Sequence, residues 1–171
     1  MPGPLTYTMF RTPLGWTGVA ATPAGIYRVA LALSGEPEFL KTLRILHPSP
    51  EKRGDKLAGV EKEFHLYFRG MLKQFSCKLD LTGGTCFQQQ VWRKLMTIPF
   101  GKTKSYKWLA RSVNRPKAFR AAGNANGRNP VPVIVPCHRV IRQNGDLGGF
   151  TGGTHLKQFL LDLEAKSYGT I

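Results

Sequence analysis

The chain has 171 residues, enough for one substantial domain or two small ones, and its 42% hydrophobic and 20% charged residues are typical of a soluble globular protein. No apolar run approaches the roughly 20 residues of a membrane span, and the N-terminus lacks the features of a signal peptide, so we expect a cytoplasmic location, nucleoid-associated in a prokaryote. The three cysteines are an odd number without a C-x-x-C pair, which excludes a fully paired disulfide framework and disfavours a zinc site.

The net charge of +15 is unevenly distributed. Residues 1–80 hold 11 Lys/Arg and 7 Asp/Glu, a net of +4, whereas residues 81–171 hold 14 and 3, a net of +11. No acidic residue occurs between Asp80 and Asp146. Because a solvated surface normally mixes both signs, this field favours a phosphate backbone as partner. An anionic membrane is an alternative, but no strongly amphipathic basic helix supports it.

Three short apolar runs predict strands over residues 5–12, 16–22 and 25–33. The turn sequences "TPLG" and "TPAG" separate them, with Pro presetting φ and Gly accepting a positive φ. The start of the chain is therefore predicted to form a small antiparallel sheet.

Helical patterns follow the sheet. The sequence predicts a helix over 36–46, a polar loop over 49–56 and a second helix over 56–70 with apolar residues at helical spacing. A "TGG" sequence and the change in charge mark a boundary near residue 82. We expect two domains, 1–82 and 83–171.

The second domain is predicted to be mainly helical. Thr85 and Gln88 have capping-box spacing, Ser105 caps a short helix, and Pro116 lies in the first turn of the next one. The short helix that Ser105 caps and the helix that begins at Pro116 together resemble a helix-turn-helix. A buried strand or extended segment should follow at 131–135.

The final helix is predicted to begin with Thr154 as its cap and to place Glu164 at the border of its apolar face. A carboxylate there needs a partner or reaches out to water. Cys77 and Cys86 are expected to be free core thiols, with a disulfide between them as the less favoured alternative.

Cys137 stands in the most basic region, directly after Pro136, which stiffens the backbone. The nearby cation Arg139 should lower the pKa of its thiol. His138 adjoins it, but neighbours on an extended chain point apart, so His138 would reach the thiol through a bend or a water. Glu164 could orient the imidazole. The alternative is an inert core thiol.

Several segments together resemble the O6-alkylguanine-DNA alkyltransferases, in matching order and spacing through most of the second half. They are "IPFGKTKSYKWLA" at 98–110, "RPKAFRAAGNANGRNP" at 115–130, "PCHRV" at 136–140, "GGFTGG" at 148–153 and "LKQFLLDLE" at 156–164. The first half looks like the variable N-terminal domain of this family.

The resemblance implies an α/β fold in which a small, ribonuclease-H-like antiparallel sheet with helices precedes a mostly helical domain with a helix-turn-helix. It implies repair of O6-alkylguanine, and less well of O4-alkylthymine, in double-stranded DNA. The lesion is flipped out and its alkyl group moves irreversibly to the protein, which acts once. We expect a monomer without metal, cofactor or membrane partner.

The resemblance also implies roles for individual residues. Cys137 accepts the alkyl group, and His138 acts as a water-mediated base that Glu164 orients. Tyr106 lies near the flipped base and either helps protonate the leaving guanine or steers the DNA backbone. Substrate binding is assigned to Asn129, Val140, Phe150, Thr151 and Gly152. DNA binding is assigned to Tyr106, Arg120, Ala121, Gly123 and Arg128.

Some of these positions carry further expectations. Arg120 fills the gap in the duplex, and the small residues Ala121, Ala122 and Gly123 permit a close approach to the minor groove. Phe150 replaces a Tyr that relatives often carry. Two alternatives remain open, a non-catalytic lesion-binding or regulatory module and a cysteine hydrolase that uses Cys137 and His138.

Overall fold

The structure, a computed structural model, describes residues 4–168 and separates into two units, Met1–Gly83 and Gly84–Ile171. We call them the N-terminal unit and the C-terminal unit. Within the described residues, no helix combines the length and the apolar character needed to cross a bilayer.

The N-terminal unit begins with the three predicted strands, which are confirmed. β1 (Thr6–Thr12), β2 (Gly15–Thr22) and β3 (Gly25–Leu33) pair as consecutive antiparallel hairpins. Gly15 and Gly25 follow the two turns with φ values of 102° and 152°, which a residue with a side chain rarely adopts.

A fourth strand, β4 (Glu51–Lys52), pairs with β1 in parallel and gives the sheet order β3-β2-β1-β4. The α/β class is confirmed, but the sheet is mixed rather than purely antiparallel, and the prediction of a loop throughout 49–56 is wrong. The reason is backbone pairing, because the amides of Glu51 and Arg53 donate to the carbonyls of Leu5 and Tyr7 at 2.9 Å each.

Two helices, α1 (Glu36–Leu46) and α2 (Gly54–Phe68), cover this sheet. Tyr7 contacts Phe39 of α1 with ring centroids 6.1 Å apart, and Phe10 contacts Phe64 of α2 at 5.5 Å. Side chains at odd and even positions of a strand face opposite sides, so the two helices lie on opposite faces. Each face of β1 is thereby closed by aromatic packing.

The C-terminal unit is mainly helical, as predicted. Its helices are α3 (Cys86–Leu95), α4 (Tyr106–Ser112), α5 (Phe119–Gly127) and α6 (Thr154–Tyr168).

The predicted capping box of α3 is confirmed. The side chain of Gln88 accepts from the amide of Thr85 at 2.9 Å, and the side chain of Thr85 accepts from the amide of Gln88 at 3.2 Å. Ser105 caps α4 by accepting from the amide of Trp108 at 3.1 Å. The prediction for Pro116 is wrong. It precedes α5, because the amide of Ala118 closes a turn onto the carbonyl of Arg115 at 2.8 Å.

Two very short strands position the site. β5 (Lys104–Ser105) pairs in parallel with β6 (Val140–Ile141), so the start of α4 lies beside the segment that follows Cys137. Cys77 and Cys86 are free thiols, as expected. Cys86 is exposed at the start of α3, so its expected core position is wrong.

Candidate active site

Cys137 begins a 3-10 helix, Cys137–Arg139, and is only 5% exposed. The buried strand predicted for 131–135 is absent, and the segment forms a tight turn in which the amide of Val135 donates to the carbonyl of Val131 at 3.0 Å. Val133 has a φ of 75°, which is unusual for a β-branched residue. The run of valines and isoleucine favoured a strand, but side-chain contacts from a nearby residue override that propensity.

Asn129 supplies those contacts. Its side-chain amide donates to the carbonyl of Val135 at 2.7 Å, and its oxygen accepts from the amide of Val131 at 3.0 Å. The side-chain amide of Asn129 also acts to lower the pKa of the Cys137 thiol. Asn129 therefore joins the end of α5 to the turn that presents the cysteine.

Burial raises the pKa of the Cys137 thiol. The hydrogen bond from Asn129, the charge of Lys157 and backbone N–H groups act in the opposite direction but do not prevail. The predicted lowering of this pKa is therefore wrong, because burial outweighs the field of the cations. At neutral pH the thiol is mainly protonated, so a nucleophilic reaction needs a base to remove its proton.

His138 is fully buried next to Glu164 of α6, with its Nε2 2.7 Å from Oε1 of the carboxylate. It does not lie on an extended chain beside Cys137, as the sequence suggested, since both residues belong to the 3-10 helix. Glu164 is 1% exposed and thus does not reach out to water.

Arg139 completes this cluster and was not predicted as part of it. Its Nε and Nη2 donate to the two oxygens of Glu164 at 2.9 Å each, and its Nη1 donates to the carbonyl of Ile98 at 2.7 Å. Glu164 also accepts from the amide of Gly101 at 3.0 Å. The carboxylate thus connects α6, the 3-10 helix and the loop at 98–101.

The protonation states follow from this arrangement. Burial would raise the pKa of Glu164, but its hydrogen bonds and the permanent charge of Arg139 outweigh burial and hold the pKa well below its usual value. Burial lowers the pKa of His138 and keeps the ring neutral. An ionised carboxylate only accepts hydrogen bonds, so Nε2 carries the proton and Nδ1 is the nitrogen that can take up another.

Lys157 of α6 is fully buried and was also missed. Its ammonium donates to the carbonyls of Val140 at 2.6 Å and Leu147 at 2.5 Å, and lies 3.5 Å from the hydroxyl of Tyr106. Burial lowers the pKa of Lys157 to about 8, so it still carries most of its charge at neutral pH. A signal was present, because Lys157 stands three residues before Leu160 and seven before Glu164, on the same face of the helix.

Tyr106 lies at the mouth of a pocket of about 410 Å³. Gly148 has a φ of 71°, and a Cβ there would lie 2.6 Å from the tyrosine hydroxyl, so the loop must carry glycine at this point. Burial raises the pKa of Tyr106, which keeps its hydroxyl protonated. The pocket lining also includes Asn126, Arg142, Phe150 and Thr151.

Two of the residues expected in the pocket, Val140 and Gly152, do not belong to this lining. Val140 is buried and its carbonyl accepts from Lys157, whereas Gly152 is exposed. Asn126 was missed, and its amide donates to the carbonyl of Cys137 at 3.4 Å. It therefore links the pocket to the cysteine.

The helix pair α4 and α5 presents the expected DNA-binding residues. Arg120, Ala121 and Arg128 are exposed, and Gly123 is partly exposed against the ring of Tyr106. Ala122 is fully buried, so it is not available for the close approach expected of it. A groove of about 850 Å³ runs along this face and shares Tyr106, Gly123 and Arg142 with the pocket. The pocket and the groove are therefore adjacent.

Comparison with known proteins gives consistent results. Residues 86–166 match the family model for 6-O-methylguanine DNA methyltransferase, DNA binding domain. The chain is 50% identical over 147 residues to a methylated-DNA–protein-cysteine methyltransferase of Methanosarcina mazei, covering 81% of this chain and 91% of the relative. It is 40% identical over 163 residues to the constitutive enzyme of that name from Bacillus subtilis, covering 95% and 96%.

A solved structure is similar over nearly the whole length. The crystal structure of Mycobacterium tuberculosis OGT in complex with DNA superposes with a TM-score of 0.83 and 35% sequence identity, covering 95% of this chain and 94% of that one.

Proposed function

The chain belongs to the 6-O-methylguanine DNA methyltransferase family, and from this membership we propose that Cys137 is the residue that accepts the alkyl group. The protein acts in DNA repair, moving the alkyl group from damaged DNA to a cysteine of its own. The observation that carries the choice of Cys137 is its place beside His138, in the 3-10 helix that Arg139 and Glu164 anchor. Cys86, by contrast, is exposed at the start of α3.

The reaction begins with the thiol proton. His138 takes it through a water at Nδ1, and Glu164 holds the imidazole in the required tautomer by accepting from Nε2. The thiolate attacks the alkyl carbon, the S–C bond forms and the C–O6 bond breaks. The electron pair of that bond passes to the guanine.

Tyr106 then donates a proton to the departing guanine, since burial raises the pKa of its hydroxyl and the hydroxyl is therefore protonated at neutral pH. The proton held by His138 restores the tyrosine through solvent, so the thiol proton ends on the repaired base. The thioether is stable, and no described residue of the site offers a means of cleaving it. The protein therefore acts once.

The lesion must leave the base stack to reach a buried thiol, because O6 lies inside the duplex. The pocket next to Tyr106 receives the flipped base, where Phe150 and Thr151 line its wall. Asn129 holds the cysteine turn in place, and the carbonyl of Val140 accepts from the buried ammonium of Lys157. O4-alkylthymine is a poorer substrate for the same pocket.

The helix pair supports the flipped state. α5 enters the minor groove, Ala121 and Gly123 allow its close approach, and Arg120 fills the space that the base leaves. Arg128 contacts the phosphate backbone. The protein works as a monomer at the DNA, in the cytoplasm or nucleoid.

The test uses a duplex with one O6-methylguanine. We expect one guanine to be restored per protein molecule, and none by Cys137→Ala, which should still bind the duplex. Restoration by Cys137→Ala would overturn the choice of acceptor. Repeated turnover would instead favour hydrolysis by Cys137 and His138.

A further inference from the structure

Phe119 is the first residue of α5, and half of its side chain is exposed. It precedes Arg120, and the guanidinium carbon of Arg120 lies 6.0 Å from the centre of its ring. An exposed phenyl ring in the middle of a cationic surface is unfavourable in the free protein, because it leaves a large apolar area in water. A bound partner that covers the ring would recover this free energy.

The groove around Phe119 indicates the chemistry of that partner. Its floor is apolar, with the rings of Tyr106, Pro116 and Phe119, and cations stand along it. These cations are Lys107, Lys117, Arg120 and Arg142. A partner with a polyanionic edge and a stackable, apolar interior fits both features, and duplex DNA has this construction.

We propose that Phe119 is a second wedge, which inserts into the base step next to the flipped nucleotide while Arg120 occupies the vacated space. The proposal rests on the proposed function of this face. Apolar side chains that enter the minor groove unstack a base step and kink the duplex, which favours extrusion of the neighbouring base. The ring lines the groove next to the pocket, since the groove and the pocket share Tyr106 and Gly123.

The exposure of the Phe119 ring argues against a purely structural role. Its exposed half packs against no core, so Phe119→Ala should leave the fold intact. Its contact with Arg120 allows a different role, in which the phenyl ring only orients the guanidinium. The experiment must separate an independent wedge from such a positioning residue.

The experiment measures binding and base unstacking in a Cys137→Ala background, which prevents transfer. The duplex carries O6-methylguanine with 2-aminopurine as its neighbour, whose fluorescence rises when it unstacks. We expect Phe119→Ala to weaken binding about tenfold, as for loss of one stacked aromatic ring, and to reduce the fluorescence rise at saturation.

Salt dependence provides a second readout. Phe119→Ala removes no charge, so the slope of log K against log salt should stay unchanged, whereas Lys117→Ala should reduce it by about one. Phe159→Ala is the matched control, because Phe159 is a partly exposed phenylalanine of α6 outside the groove. It should alter neither affinity nor fluorescence.

Two results would overturn the proposal. One is unchanged affinity and fluorescence in Phe119→Ala. The other is a Phe119→Ala effect that vanishes when Arg120 is already alanine, which would make Phe119 a positioning residue for the arginine. Failure of the proposed function is distinguishable, because it would appear as absence of alkyl transfer in the protein with Cys137 and Phe119 both intact.

Discussion

The two units of this protein bury different kinds of polar groups. The N-terminal unit buries three threonines and Asp80, whose carboxylate accepts from the hydroxyls of Thr22 and Thr82 at 2.5 and 2.6 Å. The C-terminal unit buries an asparagine and four residues that can carry charge, which are His138, Arg139, Lys157 and Glu164. Burying a charge is costly unless it is paired, so such a concentration indicates a functional requirement rather than a way to stabilise the fold.

The two units also differ in the charge of their surfaces. In the N-terminal unit, acidic residues accompany the basic ones, and pairs such as Lys52–Glu36 at 2.8 Å lie at the surface. The C-terminal unit has a net charge of +11, and the carboxylate of Glu164 lies in the buried cluster instead of offsetting basic side chains at the surface. The N-terminal unit thus contains mainly an apolar core. The C-terminal unit combines buried charged side chains next to Cys137 with a basic surface that suits a polyanion.

The largest expected effect concerns the cysteines. Cys137→Ala should abolish alkyl transfer, because it removes the thiol next to His138 in the 3-10 helix, whereas Cys77→Ala in the N-terminal unit should transfer at the rate of the unaltered protein. Single-turnover transfer from a labelled O6-methylguanine duplex measures both. Equal loss in the two variants would remove the functional contrast between the units.

The next effect concerns stability. Glu164→Gln leaves the buried guanidinium of Arg139 without a counter-charge and should cost about 3–5 kcal/mol of unfolding free energy. Asp80→Asn in the N-terminal unit weakens hydrogen bonds from hydroxyls and should cost about 1–3 kcal/mol. Urea unfolding measures both. Asp162→Asn, an exposed change on α6, is the control and should have little effect.

A third prediction separates buried from exposed lysines within the C-terminal unit. Lys157→Met removes the charge that favours the thiolate and releases the carbonyls of the 147–149 loop, so transfer should slow about tenfold at saturating DNA. Lys107→Ala removes an exposed cation and should weaken binding with a smaller salt slope. If Lys157→Met changed the salt slope instead, Lys157 would act on the DNA rather than on the site.

The smallest effect is in the response to acid. The pKa of His138 is lowered from 6.5 by burial, so protonation favours the unfolded chain, and its contribution to stability is complete above pH 6.5 and lost as the pH falls. Glu164 adds a further loss below pH 4.5, whereas Asp80 begins to lose its contribution only below pH 3.8.

The C-terminal unit should therefore begin to lose stability as the pH falls below 6.5, before the carboxylates of the N-terminal unit respond. Thermal unfolding against pH measures this loss. His138→Gln should remove it, and His155→Gln, an exposed change, should leave it in place. A loss that persists in His138→Gln would assign the response to another group.

Local signals in the sequence predicted the elements that local physics determines. The capping box at Thr85 and Gln88, the cap at Ser105 and the hairpin glycines were all recognisable, because each depends on neighbours a few residues away. The strand predicted at 131–135 failed although its cause is local too, since the nearby side chain of Asn129 holds that segment in a turn and the run of apolar residues concealed this signal.

The site shows the same division. Cys137, His138 and Glu164 could be proposed from residue type and resemblance, but the direction of the Cys137 pKa could not, because burial depends on the whole fold. Arg139 and Lys157 were missed as members of the site because long basic side chains are usually solvated. Only the packing of α6 against the 3-10 helix shows that both are buried and partnered.

The most direct test is the intact mass of the protein after incubation with a duplex that contains O6-methylguanine, followed by peptide mapping. We expect a gain of one methylene group, saturating at one per chain and located on the peptide that holds Cys137. A gain on a peptide that holds Cys77 or Cys86, or no gain while the duplex remains bound, would contradict the assignment of Cys137 as the acceptor.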